Sequence, residues 1–540
     1  MDHSGHIIFG VDLGSTYAKV AFINDDGKPE IIPNSDNERI TPSAVYFEES
    51  LESGKIGNAV VGTIAREMAK LEPERVISFV KREMGTGWHR EIDGVSLTPE
   101  AVYTYILKRL VCDARLSGHE VNDVVMTCPA YFDVAGHEAV KKVADAVGLN
   151  SLRVISEPVA AAIHYGLDKI GGRHAAVVYD LGGTTFDVAV LSIEEGKVNV
   201  VCCEGDSRLG GTDWDGRIAE FLASRFSEAT GVDREAMLKD NDAYCDLQLQ
   251  AEIVKQTLTV RTSAKTKVSF GGESVRIEIT REVFEELTRD LLERTVFFTE
   301  KALDVAATKG VSQIDNFVLV GGATRMPQVM AIIKEKFASR ITNAPLTFEV
   351  DEAVAKGAAL FGARCSPSFI GDLTGEPGSN AGNELPAGGM ETAGVITFLP
   401  RASRSYGVRF VADASPTVEN MIVKDDVLPL ECEREFAVPL GCSDKIGFQV
   451  YANETAERTA PANGCEEIGE VVVRLPHDRS GGMMVRIRMS LSDEGKLSLD
   501  VSYLTVKPGT PAHVEFLVAP ELDDCDYERA RREFAELAIE

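Results

Sequence analysis

The feature of this sequence that most constrains its fold is a short pattern that occurs twice. Residues 7–23, IIFGVDLGSTYAKVAFI, and residues 177–191, VVYDLGGTTFDVAVL, each read as a strand, a tight turn of small residues and a second strand. Asp12 precedes the turn in the first copy and Asp180 precedes it in the second. A chain that builds the same hairpin twice, far apart in sequence, is predicted to be a duplicated fold whose halves meet at the two turns.

Both turns have the composition of a phosphate-binding loop. Glycine and small hydroxylated residues leave backbone N–H groups open to an anion, because no bulky side chain stands in the way. An aspartate at the end of the preceding strand can hold a magnesium ion, directly or through the water molecules of the ion. Two such hairpins facing each other would grip the phosphate chain of a nucleotide and its metal ion from both sides.

A third stretch, NFVLVGGATRMPQV, has the same character. It runs a strand into Gly321-Gly322 and then a helix that begins near Met326-Pro327, since proline suits a first helical turn. A Gly-Gly turn at a helix N-terminus is a natural site for a phosphate or a ribose. None of the four Gly-Lys pairs is followed by Ser or Thr, and HExxH does not occur. These absences exclude a Walker-type ATPase and disfavour a zinc protease.

The composition is that of a globular protein that does not bind nucleic acid. The 56 basic and 85 acidic side chains give a net charge of −29, whereas nucleic-acid-binding proteins carry a basic excess. No apolar stretch approaches the roughly 18 residues of a membrane span, and the N-terminus lacks the basic segment of a signal peptide. Ten cysteines without a CxxC pair are expected to be buried, reduced thiols. We therefore expect a cytoplasmic protein that contacts no membrane.

The chain divides into regions of different character. Up to about Gly362 strands alternate with helices, as in HEAVKKVADAVGL (His137–Leu149), which predicts an α/β region with largely parallel sheets. Residues 366–394 are rich in Gly, Pro, Ser and Asn and are predicted to be a flexible linker. Residues 395–520 read as β-strands, including an amphipathic hairpin that turns at Ser492–Gly495. Residues 521–540 are predicted to form a short helix or tail.

A series of stretches over about the first 360 residues resembles the heat-shock protein 70 (Hsp70) chaperone family, within the actin–hexokinase–chaperone ATPase superfamily. In order, they are GVDLGSTYAKVAF, NSDNERITPSAVYF, VKREMG, CPAYFDVAGHEAVKKVADAVGL, ISEPVAAAIHYGLDK, YDLGGTTFDVAVL, RLGGTDWDGRI, AEIVKQTLT, VLVGGATRMPQV and DEAVAKGAAL. The resemblance implies an α/β, two-lobed, actin-like ATPase of ribonuclease H-like duplicated subdomains over residues 1–365, followed by a C-terminal β-sandwich. It implies ATP or ADP and Mg²⁺ as cofactors, with K⁺ nearby. The partners it implies are unfolded or extended polypeptides, J-domain co-chaperones and nucleotide exchange factors.

The resemblance also implies roles for single residues, by matching position. Lys81 would position the attacking water, with Glu157, Asp187 and Thr185 around it. Asp12 and Asp180 would act beside them and hold magnesium through water. The nucleotide would lie between two phosphate loops, a helix and a Gly-Gly turn. The residues implied to bind it are Gly14, Ser15, Thr16, Tyr17, Gly182, Gly183, Thr184, Thr185, Gly210, Gly211, Glu252, Lys255, Gln256, Thr259, Gly321, Gly322, Ala323, Arg325 and Asp351.

The chain departs from the family pattern at several positions. Gly182-Gly183-Thr184 stands where the family has three glycines. Gln256 replaces an arginine that stacks on adenine, so that cation–π support is lost. His137 replaces an arginine implicated in signalling between domains. The leucine-rich acidic linker of the family is missing, and the segment 366–394 stands in its place.

The β region resembles the peptide-binding sandwich of the family more weakly. The matching stretches are MIVKDDVLPLECEREFAV, IGFQVYANE and VRIRMSLSDEGKLSLDV, and no helical lid is expected after them. We predict an ATP-dependent chaperone in which slow hydrolysis switches the binding of extended polypeptide by the β domain. Two alternatives stay open. One is an ATP-regulated scaffold that docks one fixed partner, as the altered linker and His137 suggest. The other is a carbohydrate kinase of the same superfamily, which ISEPVAAAIHYGLDK disfavours.

Overall fold

A computed structural model describes nearly all of the α/β region and the strands of the β region. The described residues are 7–50, 56–132, 134–365, 402, 404–410, 417–424, 426, 428, 430–437, 445–453, 455, 457–474, 484–492, 496–503 and 512–517. The predicted linker, 366–394, and the predicted C-terminal helix or tail, 521–540, lie outside them.

The strands and helices follow one another in three runs. The first run contains β1 (Ile8–Leu13), β2 (Tyr17–Ile23), β3 (Pro29–Ile31), β4 (Thr41–Pro42), β5 (Ala44–Phe47), β6 (Ala59–Val61), α1 (Thr63–Met68), β7 (Val76–Ser78), β8 (Arg90–Ile92), β9 (Val95–Leu97), α2 (Pro99–Leu116), β10 (Asp123–Cys128), α3 (Val134–Ala146), β11 (Asn150–Ser156) and α4 (Glu157–His164). The second run contains β12 (Arg173–Leu181), β13 (Phe186–Glu194), β14 (Lys197–Asp206), α5 (Gly211–Thr230), α6 (Arg234–Lys239), α7 (Asn241–Val260), β15 (Ser263–Phe270), β16 (Glu273–Thr280), α8 (Arg281–Leu287), α9 (Arg289–Thr308), β17 (Asn316–Val320), α10 (Pro327–Phe337) and α11 (Ala353–Cys365). The third contains β18 (Ser405–Phe410), β19 (Thr417–Ile422), β20 (Leu430–Ala437), β21 (Lys445–Asn453), β22 (Thr459–Pro461), β23 (Glu466–Arg474), β24 (Met484–Leu491), β25 (Lys496–Tyr503) and β26 (Ala512–Leu517).

Two mixed sheets organise the α/β region. The first has the strand order β11-β10-β1-β2-β3, with β4 also paired to β2, and the second has the order β14-β13-β12-β17. Only β1, β10 and β11 in the first sheet, and β12 and β17 in the second, run parallel. The prediction of largely parallel sheets is therefore wrong. The repeated hairpins explain the difference, since strands joined by a short turn must pair antiparallel.

The two hairpins have the same register. Asp12 pairs with Lys19 across β1 and β2, and Asp180 pairs with Asp187 across β12 and β13. The pairs nearest the turn are equivalent as well, Leu13 with Ala18 in the first hairpin and Leu181 with Phe186 in the second. The predicted duplication thus extends to single cross-strand pairs. Each copy presents two polar positions, side by side, at the base of its turn.

Helices α4 and α11 cross between the two large sheets with their backbones in contact. A Cβ atom on Gly357 in α11 would lie 1.8 Å from the carbonyl oxygen of Ala160 in α4. A Cβ atom on Gly10 in β1 would lie 2.2 Å from the backbone nitrogen of Ala359 in α11. These approaches are possible only because both positions are glycine. The two sheets are thereby held against one central helix pair.

The C-terminal strands form two antiparallel sheets, ordered β22-β19-β18-β21-β23 and β20-β24-β25-β26. Side chains of both sheets share one buried core, such as Phe448 and Val450 from the first and Ile487 and Leu499 from the second. Two antiparallel sheets around one core make a β-sandwich. The predicted amphipathic hairpin is confirmed, since β24 and β25 pair antiparallel and turn one face into this core.

Two further expectations concern cysteines and membranes. The cysteines within the described ranges are all free thiols, and of these Cys128 and Cys202 are buried while the others are partly exposed. Of the helices described, none is both long and apolar enough to cross a membrane.

Candidate functional site

A cleft between the two large sheets contains a cavity of about 860 Å³. Both hairpin turns, helix α7 and the turn after β17 line this cavity. The predicted site residues that line it are Asp12, Gly14, Ser15, Thr16, Tyr17, Lys81, Glu157, Asp180, Gly182, Gly183, Thr185, Gly211, Glu252, Lys255, Gln256, Thr259, Gly321, Gly322, Ala323, Arg325 and Asp351. Thr184, Asp187 and Gly210 are predicted site residues that the lining does not include. One cavity therefore brings together residues from both halves of the duplication.

The two hairpin turns touch each other at the wall of this cavity. A Cβ atom on Gly183 would lie 1.9 Å from the Thr16 Oγ1 atom, so only glycine allows this approach. Gly210 packs behind the second turn, because a Cβ atom there would lie 2.4 Å from the backbone nitrogen of Thr184. The first turn is anchored at Gly14, whose carbonyl oxygen accepts a hydrogen bond of 2.8 Å from the Ser43 hydroxyl.

The Thr16 hydroxyl is available to a ligand. Its Oγ1 atom is buried and makes no hydrogen bond within the described residues. A buried hydroxyl without a partner is costly in a folded protein, so such an atom at the wall of a cavity indicates a place where a ligand or water binds. The site thus offers backbone and hydroxyl donors on the surface where the two turns meet.

Four carboxylates gather beside the turns. Asp12 and Asp180 are the second-last residues of β1 and β12, Asp187 opposes Asp180 on β13, and Glu157 is the first residue of α4. Burial, followed by the nearby Glu157 and Asp12, raises the pKa of Asp180 to about 8. Burial and the neighbouring Asp180 raise the pKa of Asp187 well above its ordinary value. Clustered buried carboxylates disfavour one another's charge, which a bound cation would relieve.

Lys81 and Glu157 form a buried ion pair at the same place. Lys81 lies in a 3₁₀ turn, Lys81–Glu83, and its Nζ atom donates to Glu157 Oε1 at 2.5 Å. Burial alone would lower the pKa of Lys81, but the charges of Glu157 and Asp12 outweigh burial and raise it. Burial raises the pKa of Glu157, and Lys81 opposes that shift. The pair therefore holds an ammonium group and a carboxylate together in a site that excludes most water.

A hydrogen bond to helix α2 anchors the segment that carries Lys81. The Glu100 side chain, from the first turn of α2, accepts a hydrogen bond of 2.7 Å from the backbone nitrogen of Gly85. Phe79, two residues before Lys81, has a φ angle of +61°, which is unusual for an aromatic residue. This geometry directs the lysine from a short, well-anchored segment into the cavity.

Helix α7 lines the opposite side of the cavity. Glu252, Lys255 and Thr259, which the resemblance implies bind the nucleotide, are spaced i, i+3 and i+7 on this helix, and all three line the cavity. Lys255 Nζ donates at 2.8 Å to the Gly211 carbonyl oxygen and at 2.6 Å to Asp215 Oδ2. Lys255 is thus held at the start of α5, next to the second hairpin turn.

Other residues that the resemblance implies bind the nucleotide also contact one another. Gln256 is exposed at the cavity, and its amide donates to Glu252 Oε1 at 3.3 Å. Across the cavity, Gly321 has a φ angle of +84°, and Arg325 Nε donates to Asp351 Oδ2 at 2.9 Å. The turn after β17 and helix α7 therefore present polar groups to the same space.

Sequence reasoning missed three polar residues of the site. Arg66 in α1 reaches across the cleft, donates to the Tyr17 hydroxyl at 2.9 Å and pairs with Glu252 in α7. Asp215 holds Lys255, and Lys19 pairs with Asp12. For Arg66 and Asp215 no local signal was available, since their partners are distant in the chain. For Lys19 the signal was its place in the hairpin, opposite Asp12.

His137 stands where the resemblance implies an arginine that takes part in signalling between domains. Its Nε2 atom lies 3.3 Å from the Cys128 Sγ atom at the end of β10. Burial lowers the pKa of His137 to about 4, so the imidazole is neutral at physiological pH. The position therefore presents no fixed positive charge.

Known proteins similar to this chain share its α/β region. Residues 8–373 match the family model described as Hsp70 protein. The chain is 40% identical over 368 residues to the chaperone protein DnaK of Thermotoga maritima, which covers 67% of this chain and 60% of that protein. It is 40% identical over 367 residues to the chaperone protein DnaK of Thermosipho africanus, covering 67% of this chain and 59% of that protein. The chain thus spans about 60% of the length of the curated relatives it matches.

Proposed function

The chain belongs to the Hsp70 family, and on this premise we propose that it is an ATP-dependent molecular chaperone. In this proposal the cleft binds ATP and hydrolyses it slowly, and the bound nucleotide switches polypeptide binding by the β-sandwich. The contact between the two hairpin turns carries the proposal, since a Cβ atom on Gly183 would lie 1.9 Å from Thr16 Oγ1. That contact brings two small-residue loops together beside a cluster of carboxylates, where phosphates and a metal ion would be bound.

The residues present fit a nucleotide. The cavity of about 860 Å³ has the size of a cofactor site. The loops Gly14–Tyr17 and Gly182–Thr185 would hold the phosphates with their backbone N–H groups and with the partnerless hydroxyl of Thr16. Glu252, Lys255 and Thr259 would hold the adenosine from α7.

The residues present also fit Mg²⁺. The buried carboxyl group of Asp12 and the partly buried one of Asp180 supply hard oxygen ligands, and a bound cation would favour their charged form. Within the described ranges no three acidic, histidine or cysteine side chains are grouped to hold a metal ion directly. Mg²⁺ commonly keeps several of its waters, and Asp12 and Asp180 would hold it through them. The ion would neutralise charge on the phosphates during their transfer.

Lys81 and Glu157 would act on the attacking water. The Lys81 ammonium group is only 3% exposed and keeps its charge, so it can hold a water molecule by donating a hydrogen bond. Glu157, 2.5 Å from Lys81, can accept a proton from that water, with Asp187 beside it. In this arrangement the attacking water is itself the nucleophile, and the side chains only orient it and accept its proton.

Hydrolysis and peptide release test the proposal together. We expect the full chain to hydrolyse ATP slowly and only with Mg²⁺. We also expect it to bind a fluorescent, extended apolar peptide whose anisotropy falls when ATP is added. Magnesium-dependent hydrolysis without any peptide binding would contradict the chaperone role but not the ATPase. A chain that neither binds nor hydrolyses ATP would refute the whole proposal.

The environment of His137 favours a second candidate function, an ATP-regulated scaffold that docks one fixed partner. The neutral, partly buried imidazole beside Cys128 cannot supply the charge implied at this position for signalling between domains. In a scaffold the β-sandwich would bind one folded partner, and a panel of unrelated peptides would bind poorly whether or not ATP is present. The same anisotropy titrations therefore separate the two functions.

Co-chaperones and cellular location belong to the same proposal. We propose that J-domain proteins and nucleotide exchange factors act on the α/β region, and that the protein works in the cytoplasm. Co-purification of tagged protein from cells with such partners, lost on removal of residues 1–365, tests this part.

Gln256→Arg should tighten ADP binding without a comparable rise in hydrolysis rate. The arginine side chain would add a planar cation at the cavity, where Gln256 has a neutral amide. A cation over an aromatic ring contributes on the order of 0.5–2 kcal/mol, which corresponds to roughly 2- to 30-fold in affinity. Calorimetric titration with ADP measures the change.

The matched control is Ile253→Arg, which adds the same charge on the exposed part of the same helix. It should change ADP affinity much less than Gln256→Arg does. Equal effects of the two variants would show that overall charge, and not contact with the base, is responsible. An unchanged affinity in Gln256→Arg would mean that the base is held elsewhere.

A further inference from the structure

Lys19 places an ammonium group inside the proposed phosphate site. The residue is 8% exposed, its side chain lines the cavity, and its Nζ atom lies 3.0 Å from Asp12 Oδ2. An ammonium group has three N–H donors. In the described part of the chain Asp12 is its hydrogen-bond partner, so two donors remain for groups that enter the cavity.

The duplicated hairpin does not require a lysine there. Lys19 opposes Asp12 at the position where Asp187 opposes Asp180 in the second copy. The two equivalent positions thus carry opposite charges, while the pairs nearest the turn are apolar in both copies. The hairpin fold therefore does not need the lysine, and we look for its role in binding the ligand.

Lys19 adds a positive charge to the acidic groups around the site. Two ammonium groups, those of Lys19 and Lys81, lie among four acidic groups, those of Asp12, Glu157, Asp180 and Asp187, whose crowding raises the pKa of Asp180 and of Asp187. Without Lys19 the cluster would have one positive charge fewer, which a monovalent cation would have to supply.

A potassium ion beside Asp12 does not fit these residues. The Lys19 ammonium group already contacts the carboxylate that the ion would use. A second monovalent cation there would lie close to a buried like charge, where low dielectric makes repulsion strong. The chain therefore disagrees with the expectation, drawn from resemblance, that K⁺ accompanies the nucleotide.

We propose that Lys19 takes the place of that potassium ion and binds the phosphates of the nucleotide with its two remaining donors. Lysine binds phosphate as a point charge, which is the property a monovalent cation would have supplied. Nucleotide binding is then independent of potassium. This inference rests on the proposed ATPase function, because it assumes that a nucleotide phosphate enters the cavity.

The wild-type chain tests the inference directly. ADP binding with Mg²⁺ is measured by calorimetry in potassium, sodium and N-methylglucamine chloride at equal ionic strength. We expect affinities that agree within about twofold in all three salts, since the built-in charge is always present. A loss of about tenfold or more without potassium would overturn the inference and leave the ATPase proposal intact. No ADP binding in any salt would overturn both.

The second test repeats the ADP titrations in the three salts with the Lys19→Met variant. We expect ADP binding about tenfold weaker or more in N-methylglucamine, and partial recovery in potassium, because the ion can now sit beside Asp12. Lys19→Arg, which keeps the charge, should stay potassium-independent. Lys28→Met, an exposed lysine on the turn between β2 and β3, is the control and should bind as the wild type does.

Lys19→Met could also fail by unfolding, because it leaves Asp12 buried without a partner. Circular dichroism at the titration temperature checks this, and Lys19→Gln, which keeps a donor, substitutes if the methionine variant is unfolded. A folded variant with wild-type affinity in every salt would overturn the inference.

Discussion

Lys81→Ala should lower the rate of ATP hydrolysis by about 100-fold or more, while ADP affinity changes only a few-fold. The Lys81 ammonium group is 3% exposed, 2.5 Å from Glu157, and is charged at all physiological pH values. Removing it takes away the group that would hold the attacking water. It also leaves Glu157 buried without its cation, so the carboxyl would be protonated and unable to accept a proton.

Single-turnover hydrolysis and ADP calorimetry measure the two halves of this prediction. Arg82→Ala is the matched control, because Arg82 is exposed in the same 3₁₀ turn and donates to the Ser207 carbonyl oxygen. That variant should hydrolyse ATP at a nearly normal rate. If Lys81→Ala hydrolyses ATP normally, the assignment of Lys81 fails. If it loses ADP binding in parallel with hydrolysis, the lysine contributes to binding and not to a separate chemical step.

Gly357→Ala should destabilise the α/β region by about 3 kcal/mol, near the upper end of the usual cost of overpacking. The new Cβ atom would lie 1.8 Å from the Ala160 carbonyl oxygen and 2.5 Å from its carbon. Both atoms belong to the backbone of a buried helix, so no rotamer change can relieve the clash. Either α4 or α11 must shift, and the buried core between the sheets must open.

Gly216→Ala is the control, and we expect it to raise the free energy of unfolding where Gly357→Ala lowers it. Gly216 lies in the middle of α5, and a Cβ atom there would meet nothing within 4 Å. Alanine should therefore stabilise the helix by about 0.5–1 kcal/mol. Urea unfolding followed by tryptophan fluorescence reports on this region alone, since both tryptophans, Trp88 and Trp214, belong to it. Equal effects of the two substitutions would show that the close helix contact is not rigid.

The hairpins that form the site could be predicted from the sequence, but the directions of the strands paired with them could not. The two hairpins were visible because small residues and an aspartate recur in a fixed order, whereas the residues on α7 were implied by the family resemblance. The direction of the strands was misjudged, since alternating strands and helices suggest parallel sheets while hairpins impose antiparallel pairs. The pattern around Asp12 and Asp180 indicated the hairpins but not their pairing with the other strands.

Contacts between distant segments could not be predicted in the same way. Arg66 and Glu252 are 186 positions apart, and only the closed cleft brings them together. Lys19 is different, because equal turn lengths place it at the equivalent of Asp187. A residue-by-residue comparison of the two hairpins would have revealed that charge reversal from the sequence alone.

The crossing of α4 and α11 also decides how the cleft can move. At their closest approach the facing residues are small, Ala160 on α4 and Gly357 on α11, so no side chain separates the two backbones there. Helices that meet in this way can slide or turn a little over each other without breaking specific contacts. Opening and closing are then governed at the far rim, where Arg66 pairs with Glu252, and by whatever lies between the lobes.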